Sequence, residues 1–387
     1  MRARSFSALF GILAFFMAGM AAFLSGCASG HKQFAYVVGP GTNEVFEFRA
    51  ERTGTLAPLG TPNFAVGSNP ISLAAHTSGD FLYIANFSGN NLTQLDINQS
   101  NGNLSVPVTT SIVVPVNPPN IFPTGNGPVS VAMSPTGPFL FVANQISGDI
   151  SSYTVDPGSG SLTPKALTLV VAAPPPPAPP PPVSNPNSIV VSPKGDLLFV
   201  ANPTQGTVAV LTIDNSNGVL GYAAGSPFSV GAGATPTQLA VEHSGKFLYV
   251  TDPAHNAVLA FAIQSGGSLS PINGSPFIAG ALPTGLAIDP QGALLYVANK
   301  GSNNVSAFAI DSTSGALGAV SGSPFATGGV GPSAVAVDST TSFVYVAEQT
   351  SHDVATFSIG ANGALKAIAG SPFGAATAAS SVIVVSR

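Results

Sequence analysis

The amino-acid sequence predicts an all-β protein: a seven-bladed β-propeller of four-stranded antiparallel blades, its ring closed by the C-terminal strand pairing into the first blade. Three observations carry this prediction: the composition, a strand motif that recurs seven times, and an unpaired strand at the far end of the chain. Charged residues make up 7% of the 387 residues, against about 25% in an ordinary globular protein, while glycine and proline number 43 and 35. Few charges and frequent turn formers, set between runs of Val, Ile, Tyr and Phe, suit many short strands better than long amphipathic helices. A hydrophobic fraction of 45% is enough for a core, which argues against disorder.

The second strand of each blade repeats most clearly. It reads FAYVVG, FLYIAN, FLFVAN, LLFVAN, FLYVTD, LLYVAN and FVYVAE, with central aromatics Tyr36, Tyr83, Phe141, Phe199, Tyr249, Tyr296 and Tyr345. A third strand opens at a constant interval after each copy, at Val45, Leu92, Ile150, Val208, Val258, Val305 and Val354, so the loop between them has a fixed length. A short outer strand such as GALGAV follows, and GSPF, recurring at 225, 274, 322 and 370, reads as the exit turn of four successive units. An innermost strand precedes repeats two to seven, as in QLAVEHSG and GLAIDPQG. Its small residues, Ala74, Ala132, Ala240, Ala287 and Ala336 among them, suit the axis, where blades converge. The first repeat lacks this strand, and SVIVVSR at 381–387 has its pattern; pairing beside FAYVVG would close the ring and remove the open edges.

Residues 1–26 read as a signal segment: Arg2 and Arg4, an apolar run over 8–24, then LSGC at 24–27. LSGC resembles the bacterial lipoprotein box, which implies cleavage before Cys27 and its thioether lipidation, with a short linker to residue 33 and the propeller over 34–387. An ordinary signal peptide or a short uncleaved anchor fits the same run. Each reading puts the propeller outside the cytoplasm. The lipoprotein reading places it in the bacterial cell envelope, and Ala28 after the cysteine points, by resemblance, to the outer membrane, facing periplasm or exterior. Cys27 is the only cysteine, so no intrachain disulfide can form and the domain must hold together by packing.

Cleavage would remove two of 11 basic residues and none of the 16 acidic ones. The arginines left are Arg49, Arg52 and Arg387, which cannot build a phosphate-tracking stripe, so nucleic acid is excluded as a partner. The expected partners are the membrane, through the lipid anchor, and a protein or small neutral ligand on one face of a monomeric propeller. No cofactor and no metal are expected, because the loops lack the Asp-rich spacing of a calcium site.

YVAN and YVTD resemble the strand signature of the YVTN-type propellers. The whole unit, with its D-P-x-G turn and GSPF motif, looks like the seven-bladed lactonase family that includes the 6-phosphogluconolactonases, over residues 34–387. The resemblance implies the propeller fold and, as an activity, lactone hydrolysis by arginine and histidine together. Propellers also serve as binding platforms, so the fold leaves the chemistry open. Two proline-rich insertions, at about 105–127 and 172–186, are expected between an outer strand and the next inner strand. That places them on the face that carries the loops between second and third strands. The run PPPPAPPPP is either a stiff docking segment or a tolerated surface loop.

Aligning those loops gives each candidate residue a comparison set. The position ending the second strand holds Gly39, Asn86, Asn144, Asn202, Asp252, Asn299 and Glu348, so Asp252 reads first as a turn residue that bonds loop amides. Four residues on stand Asn43, Asn90, Gly148, Gly206, Asn256, Asn303 and His352, a set that predicts positive φ and explains His352 without function. His255 shares its position with Thr42, Gly89, Ser147, Gln205, Ser302 and Ser351, so loop geometry does not demand it. His76 and His243 fall in turns of the opposite face. Lys300 is the one lysine expected on the loop face, thin provision for a phosphorylated substrate.

Two functions follow as expectations. The first is a lipid-anchored propeller that binds a ligand or partner and performs no chemistry. The alternative is a hydrolase of a non-phosphorylated lactone, with His255 or His352 as general base, Asp252, Asp353 or Glu348 orienting the imidazole, and Lys300 stabilising the oxyanion. The alternative requires His255, Lys300 and His352 to converge. For the anchor, Cys27→Ser is expected to abolish acylation and release the protein from membrane fractions; an unchanged acylated mass would refute the assignment.

Overall fold

Second strands such as Phe81–Asn86, Phe139–Asn144 and Phe247–Asp252 are buried at every residue, as expected of a strand covered on both faces by neighbouring sheets. In the computed structural model, residues 32–60, 63–107, 120–165, 168–169, 185–375 and 378–386 are described. The signal segment, Cys27, Arg387 and residues 108–119 and 170–184 of the insertions lie outside them. Seven antiparallel sheets each run inner, second, third and outer strand from the axis. Blade 1 comprises Ser381–Ser386, Gln33–Val38, Glu44–Ala50 and Leu56–Pro58; its closing register runs from Gln33↔Ser386 to Val38↔Ser381. Blades 2 to 7 begin at Pro70, Pro128, Ser188, Leu239, Pro283 and Pro332. The expected propeller and its closure are therefore observed.

Apolar packing sits between blades rather than within them. Seven clusters each join two neighbours, and the one joining the last blade to the first sets Tyr345, Ala347 and Val354 against Ala35, Phe46 and Val382. Two kinds of polar latch fix six of these junctions, all but that of blades 4 and 5. The hydroxyls of Tyr36, Tyr83, Tyr249 and Tyr296 donate to the carbonyls of Gly102, Gly160, Gly315 and Gly363 in the next blade, at 2.6 to 3.1 Å. Around the axis, the amides of Val131 and Ile189 donate to the hydroxyls of Ser72 and Ser130, and the Thr284 and Ser333 hydroxyls donate to the Pro332 and Ala379 carbonyls. Small inner residues are required there: a Cβ on Gly285 would lie 2.6 Å from the Ser333 carbonyl oxygen.

The outer strand differs from expectation. It is split in every blade into two short segments that pair with opposite ends of the third strand, as Leu220–Tyr222 and Phe228–Ser229 do with Thr207–Ile213. GSPF is the join between the halves, not an exit turn. The Ser226, Ser275, Ser323 and Ser371 hydroxyls accept from the amides of Val210, Ala260, Ala307 and Thr356 at 2.8 to 2.9 Å, filling the gap in the ladder. A cis peptide follows each of these serines. The first insertion enters at this break, between Leu104–Ser105 and Ile121–Pro123, and so interrupts the outer strand instead of following it. The second follows Thr168–Leu169, after the outer strand as expected.

A chain ended at Ser380 would leave Gln33–Val38 as an open edge and uncover the cluster that Val382 completes. It is expected to lose more than about 3 kcal/mol of stability, from at least two lost apolar side chains, and to self-associate. Denaturant unfolding with size-exclusion chromatography checks this, and a monomer of unchanged midpoint would refute the closure.

Candidate active site

The loops between second and third strands share a clamp. Asn86 Nδ2 donates to Asn91 Oδ1 and Thr93 Oγ1 at 2.8 and 2.9 Å, Asn144 to Asp149 and Ser151 at 2.6 and 2.8 Å, and Asn299 to Asn304 and Ser306 at 2.8 and 2.9 Å. In blade 5 the two partner positions are Ala257 and Leu259, which offer no side-chain acceptor. Asp252 therefore bonds elsewhere. Its side chain is wholly buried; Oδ1 accepts from the Thr235 amide at 2.9 Å and the Ala254 amide at 3.2 Å, and Oδ2 faces His255 Nδ1 at 2.6 Å.

The His255 side chain is 49% exposed, so the pair runs from a buried carboxylate to an imidazole at the surface. A carboxylate held by two amide donors is an acceptor, which assigns the shared proton to Nδ1 and leaves the lone pair on Nε2. Beside the ring runs the glycine-rich crossing from blade 4 to blade 5. A Cβ on Gly233 would meet His255 Cε1 and Nε2 at 3.8 and 3.9 Å. Residues 231–233 are exposed, and none of their amides donates a hydrogen bond among the described residues. A buried acid bonded to an exposed imidazole is the arrangement a general base requires.

The other candidates do not join this pair. Lys300 donates to Gln349 Oε1 at 2.7 Å, bridging the loops of blades 6 and 7. His352 is exposed and left-handed, with φ 62°, as its position requires; all seven residues of that set have φ between 51° and 72°. Four asparagines of the set do more than tolerate the angle. Asn43, Asn90, Asn256 and Asn303 accept from amides of the next blade's crossing, at Asn69, Gly127, Leu282 and Gly331, and so latch the loop face. His76 bonds Ser78 in a turn of the opposite face, and His243 is exposed in the equivalent turn.

Among the described residues no direct hydrogen bond or ion pair connects His255, Lys300 and His352. Sequence reasoning also missed Thr235, whose amide and hydroxyl both face Asp252 Oδ1. Its signal was the loss of polar residues at Ala257 and Leu259. No three His, Cys, Asp or Glu side chains of the described residues could hold a metal together. The central channel contains a cavity of about 220 Å³ with no ionisable side chain in its lining, and its Ser72 and Ser130 hydroxyls already serve the inner latches.

Comparison with known proteins bears on the chemistry. The family model of the lactonases, described as a seven-bladed beta-propeller, matches residues 119–176 and 186–326. A 6-phosphogluconolactonase of Formosa agariphila is 23% identical over 227 residues, 55% of this chain and 59% of its own length, so the chain spans well under two thirds of that relative. A putative 6-phosphogluconolactonase structure from Bacteroides uniformis aligns with a TM-score of 0.76 at 20% identity, over 92% of this chain and 99% of that one. The periplasmic gluconolactonase of Pseudomonas aeruginosa aligns with a TM-score of 0.76 at 22% identity, over 92% and 99%. At these identities the two structures establish the fold.

Blade 7 holds a second departure from the clamp. Glu348 takes the asparagine position, fully buried, and its ladder partner is Asp353, which accepts from Ser351 at 2.9 Å. Neither Glu348 oxygen has a hydrogen-bond partner of good geometry. Burial, and then the neighbouring Asp353 carboxyl, push Glu348 up to about 8. Asp353 thus sits against a neutral acid and is not bonded to His352. Because the folded value lies above the ordinary 4.5, the stability this acid supplies is complete below about 4.5 and is lost as pH rises towards 8. Glu348→Gln is expected to flatten that decline and to raise stability above pH 8 by more than about 1 kcal/mol, read from denaturant midpoints across pH. An unchanged pH slope would refute a protonated Glu348.

Proposed function

The chain belongs to the seven-bladed β-propeller lactonase family, and from that premise we propose that it is a lipid-anchored, extracytoplasmic lactone hydrolase whose general base is His255. One observation carries the assignment of the base: the 2.6 Å contact from a wholly buried Asp252 to a half-exposed imidazole, in the one blade whose clamp partners are apolar. Asp252 fixes the tautomer and stabilises the imidazolium as it forms. His255 Nε2 takes a proton from water while the water oxygen attacks the lactone carbonyl carbon. The oxyanion is met by amides of residues 231–233, the role expected of Lys300. Collapse of the tetrahedral intermediate breaks the ring C–O bond, the imidazolium returns the proton to the leaving alkoxide, and a hydroxy acid departs.

Family membership favours this reading over a chemically silent platform. The substrate is taken to be a non-phosphorylated lactone, because the loop face offers Lys300 alone among the described cations, and Gln349 holds it. The gluconolactonase among the structural relatives makes glucono-1,5-lactone the first substrate to try. Export and anchoring rest on the apolar run and LSGC at 24–27. Purified protein is expected to open glucono-1,5-lactone or a related neutral lactone. His255→Ala should lower kcat/KM about 10² to 10⁴-fold, Asp252→Asn should lower kcat with little change in KM, and His76→Ala should leave both unchanged. Hydrolysis unaffected by His255→Ala would overturn the assignment; no hydrolysis of any lactone would restore the binding platform.

A further inference from the structure

The face opposite the active site carries a cationic pocket at the junction of blades 1 and 2. Its volume is about 330 Å³, and its lining includes Lys32, Arg49, Ser100, Asn101 and Asn103 over a floor that includes Phe34. Phe34 is wholly buried and packed in the cluster that joins blades 1 and 2. Lys32 Nζ donates to the Ser100 carbonyl at 2.6 Å, which holds the ammonium at the pocket. Arg49 spends only Nε, on Glu51 at 2.6 Å, and no hydrogen bond of its terminal nitrogens is found among the described residues. Arg52 is exposed three residues further on.

The fold does not explain these cations. The ladder position of Arg49 opposite Phe34 is filled in the other blades by Asp96, Thr154, Thr212, Ala262, Ala309 and Ser358. In the turns between third and outer strands of blades 3, 4 and 6, Asp156, Asp214 and Asp311 bond their own loops, and the exposed Lys194 and Lys246 of that face stand singly in blades 4 and 5. The chain has 11 basic residues against 16 acidic, and both described arginines stand at this one edge. An ammonium and a guanidinium fork beside amide donors form a receptor for a phosphate group.

The chain itself indicates where that phosphate comes from. Four residues lie between Cys27 and Lys32, five residue steps with a reach of at most about 18 Å when fully extended. A chain acylated at Cys27 therefore keeps this edge of blade 1 close to the membrane surface. We infer that the Lys32–Arg49 pocket binds the phosphate of an anionic phospholipid head group in the anchoring membrane. The propeller is thereby docked by its blade 1 edge, with the acidic turns turned from the surface and the His255 face open to the aqueous side.

The choice of a membrane rests on the lipid-anchor reading, so the assay omits the anchor. A chain beginning at Ala28 keeps the complete ring, which closes between Gln33–Val38 and Ser381–Ser386. It is expected to co-sediment with phosphatidylcholine vesicles containing phosphatidylglycerol and not with phosphatidylcholine alone, and to be released by salt. Lys32→Gln with Arg49→Gln should weaken vesicle binding more than about tenfold, with thermal unfolding unchanged because both side chains are exposed, while Lys300→Gln should bind as the parent does. Equal binding by the double variant, or none by the parent, would overturn the inference. Binding of free glycerol phosphate without affinity for vesicles would overturn the lipid source. Lipidation registers separately, in the acylated mass of the full-length protein.

Discussion

Everything in this molecule depends on closing a ring of seven sheets with no gap. Each blade buries its apolar face only against its neighbours, so the junction of last and first blades must match the other six, and one strand from the far end of the chain makes it do so. Closure reaches into local sequence. Gly39 replaces the clamp asparagine in blade 1 because a Cβ there would lie 1.5 Å from the Ala378 carbonyl oxygen, where the returning chain crosses. Small residues such as Gly285 and Ser333 stand where the inner strands meet, and inner-strand serines double as latches.

Repetition also makes departures readable. Three blades satisfy a buried asparagine with two polar partners on the third strand, so a blade lacking both partners must hold its second-strand polar residue another way. Blade 5 does so with a backbone amide from the preceding crossing and a histidine. Blade 7 keeps one polar partner, Asp353, opposite a buried Glu348 whose pKa burial pushes up. The first solution leaves an oriented imidazole at the surface and the second leaves none, which is why the two superficially similar acidic substitutions carry different chemical weight.

Blade count, strand order, closure and the left-handed loop position were legible in the sequence, because each is a local pattern copied seven times. Contacts between copies were not. The asparagines of the loop set could be read as φ-positive residues, but their amide acceptance from the next blade depends on how far one sheet is rotated from another. The split outer strand was hidden because GSPF is as good a turn signal as it is a bulge; only the serine hydroxyl's bond to the third strand distinguishes them. Asp252 and His255 were visible as a pair three residues apart. Judging each against its own column made both look dispensable, whereas the columns of Ala257 and Leu259 carried the deciding information.

The latches explain how one loop can depart from the shared clamp without opening the ring. Apolar clusters hold every junction from the interior, helped by tyrosine, serine or threonine hydroxyls at six of the seven, so a second-to-third-strand loop can lose its clamp without opening the ring. Burial of Asp252 then costs little, because the Thr235 and Ala254 amides and the imidazole replace the water it gave up. The scarcity of charge works in the same direction. On a surface with few competing ion pairs, the contact to one buried carboxylate orients the imidazole, and preorganisation of that kind is what the proposed general base requires.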